Sequence, residues 1–239
     1  MRAVLLGGGI ALLLSLLGTR VAIRQFTKLG YGQEIRSDGP TTHHTKRGTP
    51  TMGGVAIVVA SVVGYFAAKL ITWTVPSASA LLLIYLFVGL AAVGFLDDFI
   101  KVAKSRSLGL RSKAKLVGQG VIALSFGALA LSPILEDDSG RTPASLKVSF
   151  LREIEWLTLP MLGALLLIWF IVTGVSNAVN LTDGLDGLAT GACVMVFGAY
   201  TLVNIWQNNQ FCEEDPSALC YNVRDPLDLA VIAAAITGA

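Results

Sequence analysis

Charge is what this sequence has least of. Ionisable Asp, Glu, Lys and Arg make up 14% of its 239 residues, against about 25% in soluble domains. Hydrophobic residues make up 54% and the mean hydropathy is +0.67. That balance excludes an ordinary water-soluble domain and makes lipid the solvent for most of the chain. Also missing are the roughly ten-residue alternating segments of a membrane β-barrel and any zinc-type cysteine and histidine spacing. No small-x-small cleavage site follows the first apolar stretch, which reads as a retained helix rather than a signal peptide. The three cysteines carry little chemistry. Cys193 falls in an apolar segment as packing, and Cys212 and Cys220 flank "EEDPSAL", where the sequence leaves their pairing open.

What the chain does have is long apolar runs, at about 3–19, 53–75, 77–96, 116–135, 157–179 and 188–206. Each approaches the ~20 residues that a helix needs to cross ~30 Å of hydrocarbon. A further run begins near Leu227. Because a helix satisfies its own backbone in lipid, the expected fold is an all-α polytopic transmembrane bundle. It should hold six full membrane helices and the start of a seventh, as one integral-membrane domain over 1–239. Basic residues set the orientation. The connections 20–52 and 97–115 hold twelve Lys and Arg, and 136–156 and 207–228 hold four. The positive-inside rule then puts the N-terminus outside and loops near 20–52, 97–115 and 180–187 in the cytoplasm. The pI near 8.5 follows from this topology and does not imply nucleic-acid binding.

The unusual polar stretches all fall on the side assigned to the cytoplasm. "DGPTTHHTKRGTPTMGG" (38–54) is broken by Gly and Pro and carries Lys46, Arg47, Thr49 and Thr51. It suits an oxyanion, since backbone N–H groups can approach and fixed cations favour phosphate; a flexible membrane-edge turn is the alternative. His43 and His44 invite a metal reading, but adjacent histidines in a loop are more often solvated. "GFLDDFIKV" (94–102) puts Asp97 and Asp98 about 100° apart on a helix, so at least one must avoid lipid. Their position near a helix C-terminus is locally unfavourable, which points to function. "SNAVNLTDGLDGLA" (176–189) spaces Asn177, Asn180, Asp183 and Asp186 by three. Such oxygen donors suit Mg²⁺, or a capped turn between two helices. "LRSKAKLVGQ" (110–119) reads as a positive-inside anchor and is compatible with an anionic head group.

Taken together, "KRGTPTMGG", "GFLDDFIKV" and "NAVNLTDGLDGLA" resemble the polyprenyl-phosphate N-acetylhexosamine-1-phosphate transferases, specifically the bacterial muramoyl branch. The likeness spans nearly the whole chain. It implies a Mg²⁺-dependent enzyme of the bacterial cytoplasmic membrane, a homodimer, that joins undecaprenyl phosphate to UDP-N-acetylmuramoyl-pentapeptide. The products implied are lipid I, for peptidoglycan, and UMP. By the same resemblance Asp97 is the base or orienter of the lipid phosphate, with Asp98 supporting it or contributing to the metal environment. Asn180 is metal-proximal. Asn177, Asp183 and Asp186 belong to the substrate side, with Asp186 reading uracil, and Lys46, Thr51 and Lys101 are phosphate- or nucleotide-side groups. The family pattern also implies about ten helices, with a later aspartate near Mg²⁺ and a histidine-rich loop. Residues 1–239 contain neither, so the expectation is the amino-terminal two thirds of such an enzyme, with an inactive fragment as the alternative. Relatives handling N-acetylglucosamine share the paired aspartates but usually depart from "TPTMGG" and "NLTDGLDGLA". An ion-coupled transporter predicts midplane acids and inverted repeats, and neither is visible in the sequence.

Overall fold

A computed structural model of the chain describes residues 1–28, 52–104, 109–149, 153–182, 187–212, 220 and 223–239. Among them lie seven α-helices: α1 (Arg2–Lys28), α2 (Gly54–Ile71), α3 (Ala78–Ala103), α4 (Ser112–Ala130), α5 (Met161–Thr182), α6 (Leu188–Asn208) and α7 (Pro226–Gly238). Five of these, α1, α2, α3, α5 and α6, are long and apolar enough to cross a membrane. The fourth has 19 residues, but Lys113, Lys115 and Gln119 dilute its first two turns, and α7 is shorter, at 13 residues. The outward faces are apolar, with Leu13, Leu17, Phe170, Met195 and Leu202 exposed. This is the pattern of a bundle whose surroundings are lipid.

Helix ends differ from the apolar stretches in a consistent way. The first helix runs on past the apolar stretch through Arg20, Arg24 and Lys28, and α3 runs through Asp97, Asp98 and Lys101. Arg, Lys and Gln are good helix formers, and long basic side chains can reach water from a helix that leaves the membrane. The loops expected to begin at 20 and 97 therefore begin several residues later. Between α4 and α5 an antiparallel hairpin forms from β1 (Lys147–Ser149) and β2 (Glu153–Thr158), with Lys147 opposite Thr158 and Ser149 opposite Glu153. Its alternation in "EIEWLT" and the Leu159-Pro160 break delay α5 to Met161, four residues after the apolar stretch begins.

The centre of the bundle is α7. Apolar apart from Asp228 and Thr237, it is buried from Pro226 to Ala235 but for Leu227 and Leu229, as expected of a helix without a polar face. It packs against α1, α2, α3 and α6, with Val231, Ala234 and Ala235 in one cluster with Val4, Ala11, Tyr65 and Ala68. Helices α1 and α2 approach closely at Gly64, where a Cβ would come within about 3 Å of Ala11 and the Gly7 carbonyl. A second layer of α3, α4 and α5 lies beside this group.

One end of α7 is fastened by a buried ionic cluster. Asp228 receives Lys69 Nζ at 3.0 Å, the Tyr65 hydroxyl at 3.1 and 3.2 Å, and the Ser77 N–H at 2.7 Å. Beside it, Asp225 accepts from Ser79 at 2.7 Å and Arg224 at 3.2 Å, and Arg224 also donates to the carbonyls of Leu135 and Arg141. Removing one partner of a buried pair costs about 3–5 kcal/mol, because the other charge is left alone in low dielectric. At this end of the molecule Cys212 and Cys220 are joined by a disulfide, which settles the pairing that the sequence left open. Cys193 is a free, partly buried thiol.

Candidate functional site

The opposite end of the bundle is where α2 begins and where α3 and α5 finish. Asp97 is 19 residues into α3, about 29 Å along a helix rising 1.5 Å per residue, so it reaches the far edge of a ~30 Å hydrocarbon layer. There the helices open onto a cavity of about 560 Å³. Val55, Val58 and Val59 of α2 and Val88, Ala91 and Phe95 of α3 form its apolar wall. Its polar edge is Asp97, Asp98, Lys101, Lys115 and Asn180. Helices α3, α4 and α5 thus bring two carboxylates, two ammonium groups and an amide, from Asp97 to Asn180 in sequence, to one opening.

The two carboxylates are held differently. Lys101 bridges them, at 2.7 Å from Asp97 Oδ2 and 2.8 Å from Asp98 Oδ1, one turn further along the same helix. The Leu110 N–H donates to Asp97 Oδ1 at 2.7 Å. Each Asp97 oxygen therefore has one partner and keeps a further acceptor site, and its side chain is 16% exposed. Asp98 is 39% exposed, and its Oδ2 has no partner among the described residues. A single ammonium between two carboxylates relieves the repulsion that adjacent acids would otherwise suffer. It also offsets the unfavourable helix-end position, since Lys101 adds a cation to the last turn.

Of the residues singled out from sequence, the fold brings Asp97, Asp98, Lys101 and Asn180 together at the cavity. Asn177, expected on the substrate side, does not line it. Its amide nitrogen donates to Gln119 Oε1 at 2.9 Å and to the Thr173 carbonyl at 2.8 Å, while Gln119 donates to Ser176 at 2.9 Å. Gln119 is 2% exposed, so this is an interhelical clasp between α4 and α5. It occupies Asn177 one turn before Asn180 reaches the opening. Lys46, Thr51, Asp183 and Asp186, with His43 and His44, lie outside the described residues. Lys115 was legible only as one of several anchoring cations. Its neighbour Lys113 has the same chemistry, and only the packing of α4 on α3 selects Lys115. Lys69 and Asp228 were overlooked in the apolar stretches, although an ionisable residue inside a membrane helix is a signal in its own right.

The donor set bears on a metal. Among the described residues there is no group of three or more His, Cys, Asp and Glu that could hold one. The open Asp98 oxygen and the Asn180 amide nevertheless fit Mg²⁺, which takes one or two protein oxygens and fills its remaining positions with water and substrate phosphates.

Comparison with known proteins gives the family. The model of glycosyl transferase family 4 matches residues 80–239, and signature 1 of the phospho-N-acetylmuramoyl-pentapeptide-transferases matches residues 46–58. The chain belongs to glycosyl transferase family 4, in its phospho-N-acetylmuramoyl-pentapeptide-transferase branch. A protein of that name from a Nocardioides species is 71% identical across the whole of this chain, which covers 66% of that relative. Those of Cutibacterium acnes and Streptomyces avermitilis are 53% and 50% identical, again over the whole chain and 67% of each relative. The chain thus spans about two thirds of the length of the curated relatives it matches. Within glycosyl transferase family 4, its matched region takes in α3 to α7, including both aspartates, Lys115 and Asn180.

Proposed function

We propose that the protein transfers phospho-N-acetylmuramoyl-pentapeptide from its UDP conjugate to undecaprenyl phosphate, giving lipid I and UMP. The observation that carries this reading is the convergence of Asp97, Asp98, Lys101, Lys115 and Asn180 on one cavity with an apolar wall, at the end of the membrane helices. One substrate is a lipid and the other a soluble nucleotide, so their phosphates can meet only at such an edge. The relatives' name supports the choice of sugar.

In the step itself an oxygen of the lipid phosphate forms a bond to the β-phosphorus of the nucleotide. The bond from that phosphorus to the bridging oxygen breaks, and UMP leaves with the electron pair. A phosphate monoester is largely dianionic near neutrality, with a second pKa of about 6, so the chief task is to gather negative charge rather than to remove a proton. Phosphoryl transfer depends mainly on positioning and charge neutralisation. Lys115 offers a cation at the cavity, and Lys101 holds the two carboxylates in place. Asp97 orients the incoming phosphate or takes its residual proton. Asp98 and Asn180 would hold Mg²⁺, which when bound supplies further neutralisation of the phosphates. Lys46, Thr51, Asp183 and Asp186 complete the nucleotide side in this reading, and the protein works as a homodimer.

The cavity end faces the cytoplasm of the bacterial membrane in this proposal. The twelve-to-four bias of basic residues supports that orientation, as does the disulfide at the opposite end, since disulfides persist in oxidising compartments. The test is to supply the purified protein in nanodiscs with Mg²⁺, undecaprenyl phosphate and either UDP-N-acetylmuramoyl-pentapeptide or UDP-N-acetylglucosamine. UMP release with the first and not the second is the expected result. Release with neither, or only with the second, rejects the proposal. Membrane-impermeant maleimide on intact cells separately tests orientation, and should label a cysteine placed at position 138 but not one at position 104.

A further inference from the structure

Asp97 occupies a place where a carboxylate is electrostatically disfavoured, in the last two turns of α3, toward the negative pole of the helix dipole. Lys101 offsets part of this from the following turn. The rest comes from the main chain of the segment that leads into α4, where the Leu110 N–H lies 2.7 Å from Asp97 Oδ1. That contact requires the backbone to press against the carboxylate. A Cβ on residue 109 would fall closer than 3.0 Å to three atoms of Asp97: Oδ1, Cγ and the carbonyl oxygen. Rotating the Asp97 side chain would relieve the first two and leave the third, because the carbonyl belongs to the helix. Glycine is needed here for the close approach, and the φ of Gly109 lies outside the left-handed region.

We propose that Gly109 is a positioning residue for the transfer reaction. Its missing side chain lets the Leu110 amide and Lys101 fix both oxygens of Asp97, leaving Asp98 as the carboxylate with a free oxygen at the cavity. The kinetic consequence rests on the transferase reading above, and the backbone bracket does not.

Two measurements on the intact protein in nanodiscs test it. In hydrogen–deuterium exchange, the Leu110 amide is protected in the unsubstituted protein and loses that protection in both Gly109→Ala and Asp97→Ala. Gly174→Ala, a helical glycine with open space around it, leaves the protection intact. In the UMP-release assay, Gly109→Ala lowers kcat by about ten- to a hundredfold, the scale set by misplacing a reacting group by about 1 Å. The KM for the nucleotide sugar stays within about twofold of its starting value, and the melting temperature stays within about 2 °C, which a general loss of fold would not allow. Leu110→Pro removes the donor without adding a Cβ at 109 and repeats the kcat loss. Leu110 exchange in Gly109→Ala as slow as in the unsubstituted protein, or an unchanged kcat, overturns the proposal. Should the unsubstituted protein release no UMP, the transferase reading fails, and the exchange comparison alone upholds or overturns the bracket.

Discussion

The molecule holds an aspartate against a lysine at each end of its bundle, and the two pairs are built for opposite purposes. At one end Asp228 and Lys69 are 9% and 10% exposed, and the carboxylate accepts from Lys69, Tyr65 and the Ser77 N–H together. No oxygen is left for a ligand, and the pair holds α7 to α2 and to the start of α3. At the other end Asp98 and Lys101 are 39% and 38% exposed, one Asp98 oxygen has no partner among the described residues, and an open cavity adjoins them. The residue types are the same, so chemistry alone does not separate fastening from function. Saturation of the carboxylate and access to it do.

Several substitutions sharpen or break that contrast. The largest effect is expected at the saturated end. Asp228→Ala leaves Lys69 and the Tyr65 hydroxyl buried without a partner and costs about 3–5 kcal/mol, read as a lower melting temperature in detergent. Lys69→Met with Asp228→Asn keeps an acceptor for Ser77 and recovers most of that loss; failure to recover would show that the charge itself is needed. Next comes Asp98→Asn, which lowers UMP release by about a hundredfold, the scale seen on losing one electrostatic group at a reacting phosphate or oxyanion. Its melting temperature stays within about 2 °C, the shift that at most about 1 kcal/mol produces in a chain of this size. A large drop in melting temperature instead would erase the distinction between the two ends.

Smaller still, Lys115→Gln raises the KM for the nucleotide sugar about tenfold, the order of one weakened charge contact, and leaves kcat nearly unchanged. The smallest effect concerns the loop after α4. Burial acts to raise the Asp137 carboxyl, but the Arg141 N–H at 2.8 Å, its guanidinium at 2.9 Å and the Ser139 N–H at 3.0 Å outweigh burial and hold it below the ordinary carboxylate range. A depressed folded-state value stabilises the fold above the unfolded pKa of about 3.9 and loses that contribution as pH falls through the lower folded value. Asp137→Asn should therefore lower the neutral plateau of melting temperature against pH slightly and flatten the fall on its acid side, leaving the most acid values unchanged.

Much of the site was readable from residue types. Asp97, Asp98, Lys101 and Asn180 are polar groups that lipid excludes, at the ends of apolar stretches, and the fold gathers those four. Asn177 falls outside the cavity lining because a three-residue spacing places groups along one side of a helix without saying what that side faces. Here it faces Gln119 of α4 rather than the opening. Lys115 and Gly109 do not stand out in the sequence for a related reason. Each takes its place from how the start of α4 lies beside α3, and nothing local to "LGLRSKAK" distinguishes Lys115 from Lys113, or Gly109 from a glycine in a loose turn.

By itself the sequence determined that the chain is a helical membrane protein, with Asp97, Asp98 and Asn180 at the ends of apolar stretches. Composition, apolar length and the cost of charge in hydrocarbon act on each segment separately, so no knowledge of neighbouring helices is needed. Tertiary structure alone decided which of those polar groups are free. It buried Asp228 among three donors, turned Asn177 into a clasp, and set the Leu110 amide on Asp97 so that Asp98 keeps an open oxygen. Hydrogen-bond saturation is a property of contacts between segments, and it becomes defined only once the helices pack.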